Sequence, residues 1–350
     1  MNVSKEQGNI LKGLAISMIM VHNFVYKLLG IHCNEMSFNQ QLTENFCNGL
    51  FSSQSIWYIL SYAGWIGVPL FFFLSGYGLT KKYNGTSHPF DTISYFKKHV
   101  VKLLKLLVPI YALYVFFDSF IFHNPNNLKS VLAHVTFTIN LFHYGEQGTF
   151  HLRPEVYWFF GAILQFYILF IFIRKFNIKM LCVLALAFLG IHYSILYFAS
   201  QDTMDWCRHN FIGWGLPFVL GMIAAKSTWS LPKRWTLVMG LLSLVLLSAS
   251  LVVKPLSPLV DPSTITLFLI ISNKCEAKWI YWIGAISASI FVIHPFIRLL
   301  YFNTFCSSNH PLLMTIIYII PVILLSWLHH EVLAKCKWTN KSGPKVRSIS

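Results

Sequence analysis

The chain has 350 residues, with 27 Lys and Arg against 12 Asp and Glu for a formal net charge of +15, yet only 11% of it is charged. Hydrophobic residues make up 55% and the mean hydropathy is +0.58, a balance that excludes a water-soluble globular domain and predicts an all-α polytopic membrane protein. The positive surplus is explained by membrane orientation once it is placed on the elements below, so no nucleic-acid partner is expected.

The first apolar run covers about 10–30. It is long enough to span and lacks the small-residue cleavage motif of a signal peptide, so it is expected to remain as a transmembrane helix. It carries Lys12 and His22. A charged side chain at membrane depth costs roughly 2.5 kcal/mol or more, which makes both residues site candidates. Interfacial anchoring by Lys12 and plain packing of His22 form the alternative. The two lie ten residues apart, about 15 Å along a helix, and do not touch. His22 can act as a base at that depth only if a cavity reaches it.

An outer segment, 31–55, holds Cys33 and Cys47, which form a disulfide if that compartment is oxidising and are otherwise ordinary small residues. No cysteine or histidine spacing fits a metal, so none is expected. The second span, 56–80, ends in the aromatic run Phe71 to Tyr77, closed by Ser75 and Gly76, small enough for close approach by a helix or a ligand. Before the third span, 100–123, Lys98, Lys102 and Lys105 follow 4 and 3 spacing on one helical face. Such a face pairs with anionic lipid or with the phosphates of a cytoplasmic ligand. Asp118 lies near the outer end of that span.

The piece 131–144 is too short to cross and is predicted as a re-entrant or interfacial helix, a candidate wall of a substrate chamber. Span four, 156–174, opens at Glu155, a candidate catalytic carboxylate at the outer interface, and carries Trp158 and the deeper Gln165. Further spans are expected at 180–198, 210–226, 235–253, 256–273, 279–300 and 312–334. In the ninth, His294 precedes Pro295, which is expected to disturb the helix beside a cavity. With ten spans and both termini cytoplasmic, only Lys27, Lys129, Arg153, Arg208, Lys254 and Arg298 of the 27 basic residues fall outside. That is the bias expected of inward-facing loops. One membrane domain, 1–334, is followed by a basic cytoplasmic tail, 335–350.

Six motifs in order resemble the acyltransferase-3 family of membrane acyltransferases, bacterial sugar and polysaccharide O-acetyltransferases in particular. They are KGLAI from Lys12 with His22, FFFLSGY from Phe71, the basic run to Pro109 and Tyr111, WFFGAILQFY from Trp158, PFVLGM from Pro217 and SIFVIHP from Ser289. The resemblance implies ten helices in a bacterial cytoplasmic (inner) membrane and transfer of an acetyl group from acetyl-CoA, or another acyl-CoA, to a hydroxyl of an envelope glycan or lipid-linked sugar. It ties His22 to acyl transfer and Lys12, Lys102 and Lys105 to the donor. Glu155 is the second catalytic candidate, and Ser75, Tyr77, Tyr111, Trp158, Gln165 and His294 are the expected cavity residues. The chain departs from the family's commonest pattern in having Lys12 where Arg is frequent. It also has Ile163 and Leu164 where an acidic residue often precedes the Gln-Phe-Tyr of helix four. A glycolipid transporter or flippase is the rival reading, although no inverted repeat is visible.

Overall fold

The computed structural model describes residues 3–34, 38–84, 90–142, 153–227, 233–305 and 310–335, and every regular element among them is helical. Helix α1 (Lys5–Leu29) starts five residues before the apolar run because Ser4 and Gln7 form a capping box, each side chain bonding the other's backbone N–H. It ends at Gly30, whose φ of 65° suits glycine. The amphipathic α2 (Gln40–Leu50) follows. Then α3 (Ser55–Ala63), a 3₁₀ turn (Gly64–Ile66) and α4 (Gly67–Tyr83) together make one span. Helix α5 (Thr92–Phe116) runs on into a π turn (Phe117–Ile121).

The piece expected to be re-entrant is α6 (Leu128–Val135) and a 3₁₀ turn (Ile139–Leu141), its end beyond residue 142 lying outside the described residues. None of its described residues lines the cavity beside α1. Asn140 instead donates to the His209 carbonyl and to Asn210 Oδ1, both at 3.1 Å, so the segment braces a distant helix junction.

The chain continues through α7 (Trp158–Ile173), α8 (Ile178–Phe198), the short α9 (Gln201–Arg208) and α10 (Phe211–Lys226). Next come α11 (Lys233–Val252) and, after a 3₁₀ stretch (Lys254–Leu259), α12 (Val260–Ser272). Helices α13 (Lys278–Ala285), α14 (Ser287–Thr304) and α15 (Pro311–Lys335) close the order.

By length and composition eight helical stretches among the described residues can cross a membrane, and nine if α13 and α14 count as one bent span. The chain is thus a polytopic membrane protein. The expected span left over, the sixth at 210–226, is α10, a 16-residue helix that falls short of bilayer length. It is buried almost all round, from Gly213 to Ala225, as befits a helix enclosed by others. Helices α11 and α15 expose Leu241, Val245, Leu312 and Leu324 instead, surfaces suited to lipid.

The ninth span breaks at Ile286, where α13 and α14 meet at 74°. Pro295, the expected site of disturbance, lies inside a continuous α14. The small residues Gly284, Ala285, Ser287 and Ala288 allow this break. They also allow close packing: a Cβ on Gly284 would strike the Asn9 carbonyl, and one on Gly13 would strike that of Ile280. Helices α1 and α13 therefore touch backbone to backbone, the small-residue contact typical of membrane helices.

Cys33 and Cys47 are not joined to each other. Burial pushes the Cys33 thiol up to about 12, which keeps it protonated and slow to oxidise.

Candidate active site

A cavity of about 1070 Å³ runs beside α1. From that helix it receives Lys12, Ile19, His22, Asn23 and Tyr26, and the seven-residue spacing of 12, 19 and 26 makes them one stripe along the axis. The antiparallel packing of α5 on α7 separates its two ends. Tyr95 Oη donates to the Tyr167 carbonyl at 3.3 Å at one end, and the rings of Tyr111 and Tyr157 meet at 6.0 Å at the other.

The first end is cationic. Lys12, Lys82, Lys98, Lys102 and Lys105 all line it, with Ser75 and His99 beside them. Lys12 Nζ donates to Asn9 Oδ1 at 3.3 Å. Glu155 is the one carboxylate on the whole cavity wall among the described residues, and it sits at the opposite end. Five ammonium groups facing one space without a nearby carboxylate favour an anionic occupant.

His22 lies between the ends. Its Nδ1 donates to the backbone carbonyl of Ser61; a carbonyl only accepts, so the proton of the neutral ring is on Nδ1 and the lone pair on Nε2. The local sequence makes this bond available. The 3₁₀ turn after α3 shifts the backbone ladder from i−4 to i−3, which frees a carbonyl of the preceding turn. Gly64 then lets the turn press on His22, because a Cβ there would collide with the histidine Cβ. Ser61 Oγ, donating to the Ile31 carbonyl at 2.6 Å, ties the same strut to the end of α1.

The second end mixes aromatic faces with charge. Trp158 stacks on Trp214 at 5.8 Å and meets the His209 ring edge-on at 5.4 Å, and all three line the cavity with Trp65 and Phe159. Glu155, Arg208, Arg298 and Tyr26 complete it. Burial, reinforced by the Arg208 guanidinium, holds the His209 imidazole well below its ordinary range, so that ring is neutral. Arg298 Nη1 donates to Asn23 twice, to the carbonyl at 3.1 Å and to Oδ1 at 3.2 Å.

Of the residues expected from sequence, His22, Glu155, Lys12, Lys102, Lys105, Ser75 and Trp158 share this cavity. Tyr77, Tyr111, Gln165 and His294 do not line it. Tyr77 Oη accepts from Val3 N–H at 2.8 Å, and Tyr111 stacks on His134 at 4.5 Å. Gln165 donates to Asn210 Oδ1 and accepts from Phe211 N–H, both at 2.8 Å. His294 Nδ1 donates to the Ile290 carbonyl at 3.1 Å. Tyr77, Tyr111 and Gln165 thereby tie separate segments of the chain together, while the His294 bond stays within α14. Sequence reasoning missed Asn23, Trp65, Trp214, Arg208 and Arg298; for Asn23 the stripe beside Lys12 and Tyr26 was the available signal, while the others reach the cavity only through the fold.

No curated protein and no solved structure matches the chain. A family profile described as an acyltransferase domain matches residues 9–331, nearly the whole length. That span takes in the cationic end, His22 and the aromatic end together, and the chain belongs to the acyltransferase-3 family of membrane acyltransferases.

Proposed function

We propose that the protein is an O-acetyltransferase of a bacterial cytoplasmic membrane. It moves an acetyl group from acetyl-CoA to a hydroxyl of an envelope glycan or lipid-linked sugar, with membrane lipid around it and no metal in the reaction. The observation that carries this reading is one cavity with five lysines at one end, His22 in the middle and tryptophans with Glu155 at the other. The rival transporter reading gives way to family membership.

In this mechanism the lysines hold the donor's phosphates as point charges. The thioester extends along the α1 stripe to His22. The acceptor sugar lies against Trp158 and Trp214, whose flat rings suit a sugar face, with Glu155 positioning its polar groups. His22 Nε2 takes the hydroxyl proton as the acceptor oxygen attacks the thioester carbonyl carbon. The tetrahedral intermediate collapses with cleavage of the C–S bond, and the leaving thiolate takes the proton back from the imidazolium. Ester and free thiol are the products, and His22 ends neutral with its Nδ1–H still on Ser61.

The test is incorporation of label from [14C]acetyl-CoA into membranes of cells carrying the protein, with mass spectrometry of the envelope glycans. His22→Ala at normal protein level is expected to abolish the acetylated product. Unchanged product overturns the reading.

A further inference from the structure

Arg298 is a cation in the last two turns of α14, near the outer end of the bent ninth span, and the mechanism above does not use it. Among the described residues its hydrogen bonds are the two that Nη1 makes to Asn23, and neither ion pair found there includes it. A guanidinium carries five N–H donors, and this clamp occupies only those on Nη1. Arg298 is half-buried and lines the same cavity as His22. A half-buried arginine with no carboxylate partner among the described residues is costly to keep charged and points to a site.

The clamp holds it in register with the base. Asn23 follows His22 directly in α1, and its amide is itself oriented, since Nδ2 donates to the Ile19 carbonyl at 2.9 Å and so turns Oδ1 toward Arg298. The guanidinium is thereby fixed by the backbone and the side chain of the residue next to His22. A planar cation fixed in advance beside the attacking base is what a developing oxyanion requires, because no reorganisation is then needed as charge appears.

Resting on the reading of His22 given above, we propose that Arg298 is a catalytic residue whose free N–H groups bind the thioester carbonyl oxygen as it becomes the tetrahedral oxyanion, with Asn23 as its positioning residue. The carbonyl π electrons pass to that oxygen as the acceptor C–O bond forms. They return when the C–S bond breaks, so the arginine stays protonated throughout.

The experiment measures initial rates of [14C]acetyl-CoA incorporation into membranes carrying the wild type, Arg298→Gln, Arg298→Lys, Asn23→Ala and His22→Ala, over a range of acetyl-CoA concentrations. Protein level and unfolding temperature are measured for each. Arg298→Gln is expected to lower kcat on the order of 10²–10³-fold with the KM for acetyl-CoA unchanged, the effect of losing an oxyanion donor. Arg298→Lys keeps the charge and recovers part of that loss. Asn23→Ala keeps the arginine but releases it, and lowers kcat by about tenfold, as misplacement does. A kcat for Arg298→Gln within twofold of wild type, a defect cured by raising acetyl-CoA, or a loss that follows protein level or unfolding temperature overturns the assignment. If His22→Ala abolishes incorporation while Arg298→Gln does not, the assignment of Arg298 fails alone; if His22→Ala remains active, the acyl-transfer reading fails with it.

Discussion

His22 donates from Nδ1 to the carbonyl of Ser61, a residue on a different helix, and this one bond decides which nitrogen carries the reactive lone pair. Backbone carbonyls are not removed by side-chain substitution, so the bond is best probed through its support. Gly64 stands where any side chain would push into His22. Gly64→Ala is expected to lower acetyl transfer by about 10²-fold at normal protein level, the scale of an ångström of misplacement. Rates from Gly64→Ala membranes equal to wild type would show that the fit does not matter.

The lysine end gives a second prediction. Lys12→Gln and Lys102→Gln are each expected to raise the KM for acetyl-CoA about tenfold, or ~1.4 kcal/mol of binding, with kcat nearly unchanged. Added salt should weaken wild-type binding more than that of the variants, since screening acts on the charges removed. Titrating the donor at two salt concentrations checks both parts.

Gln165→Leu separates cavity from packing. Gln165 bonds Asn210 and the Phe211 backbone away from the cavity. Its loss leaves a part-buried N–H unpaired, and about 1 kcal/mol of stability is expected to go, with the KM for acetyl-CoA unchanged. Thermal unfolding in detergent together with donor kinetics reads the two effects apart.

What the sequence made legible follows from local physics. The apolar runs marked the spans, and the cost of charge at depth marked Lys12 and His22 before any fold was known. The 4 and 3 spacing put Lys98, Lys102 and Lys105 on one face, which the structure turns to the cavity. Misplacement arose where packing overrode local signals. Pro295 is the stronger helix breaker in isolation, yet the bend falls at Ile286, where small residues let α13 lie against α1. His294 and Tyr111 looked like polar handles, but His294 bonds the Ile290 carbonyl of its own helix and Tyr111 stacks on His134 of α6. Trp65 and Trp214 sit in apolar runs that nothing distinguishes from lipid-facing sequence, and only tertiary contacts bring them to one wall.

His134 supplies a pH prediction. It lies in α6, where burial pulls its imidazole down to about 4 from an ordinary value near 6.5. The folded value is the lower one, so the unfolded chain takes up the proton first as pH falls. The stability this group contributes is complete above about pH 6.5 and is lost on descent toward pH 4. Between pH 7 and pH 5 the wild type should lose about 2 kcal/mol from this source. His134→Gln should lose correspondingly less, and unfolding midpoints of the two proteins at both pH values test it.

The stripe of α1 is also a ruler. Lys12 and His22 are ten residues apart on one rigid helix, so an anion held at the lysines lies about 15 Å short of the base. A donor must bridge that gap with its own length, its charge at one end and its acyl group at the other. Acetyl-CoA has such an arm between phosphates and thioester; acetyl phosphate, with the two groups adjacent, would occupy the lysines and leave its acetyl group out of reach.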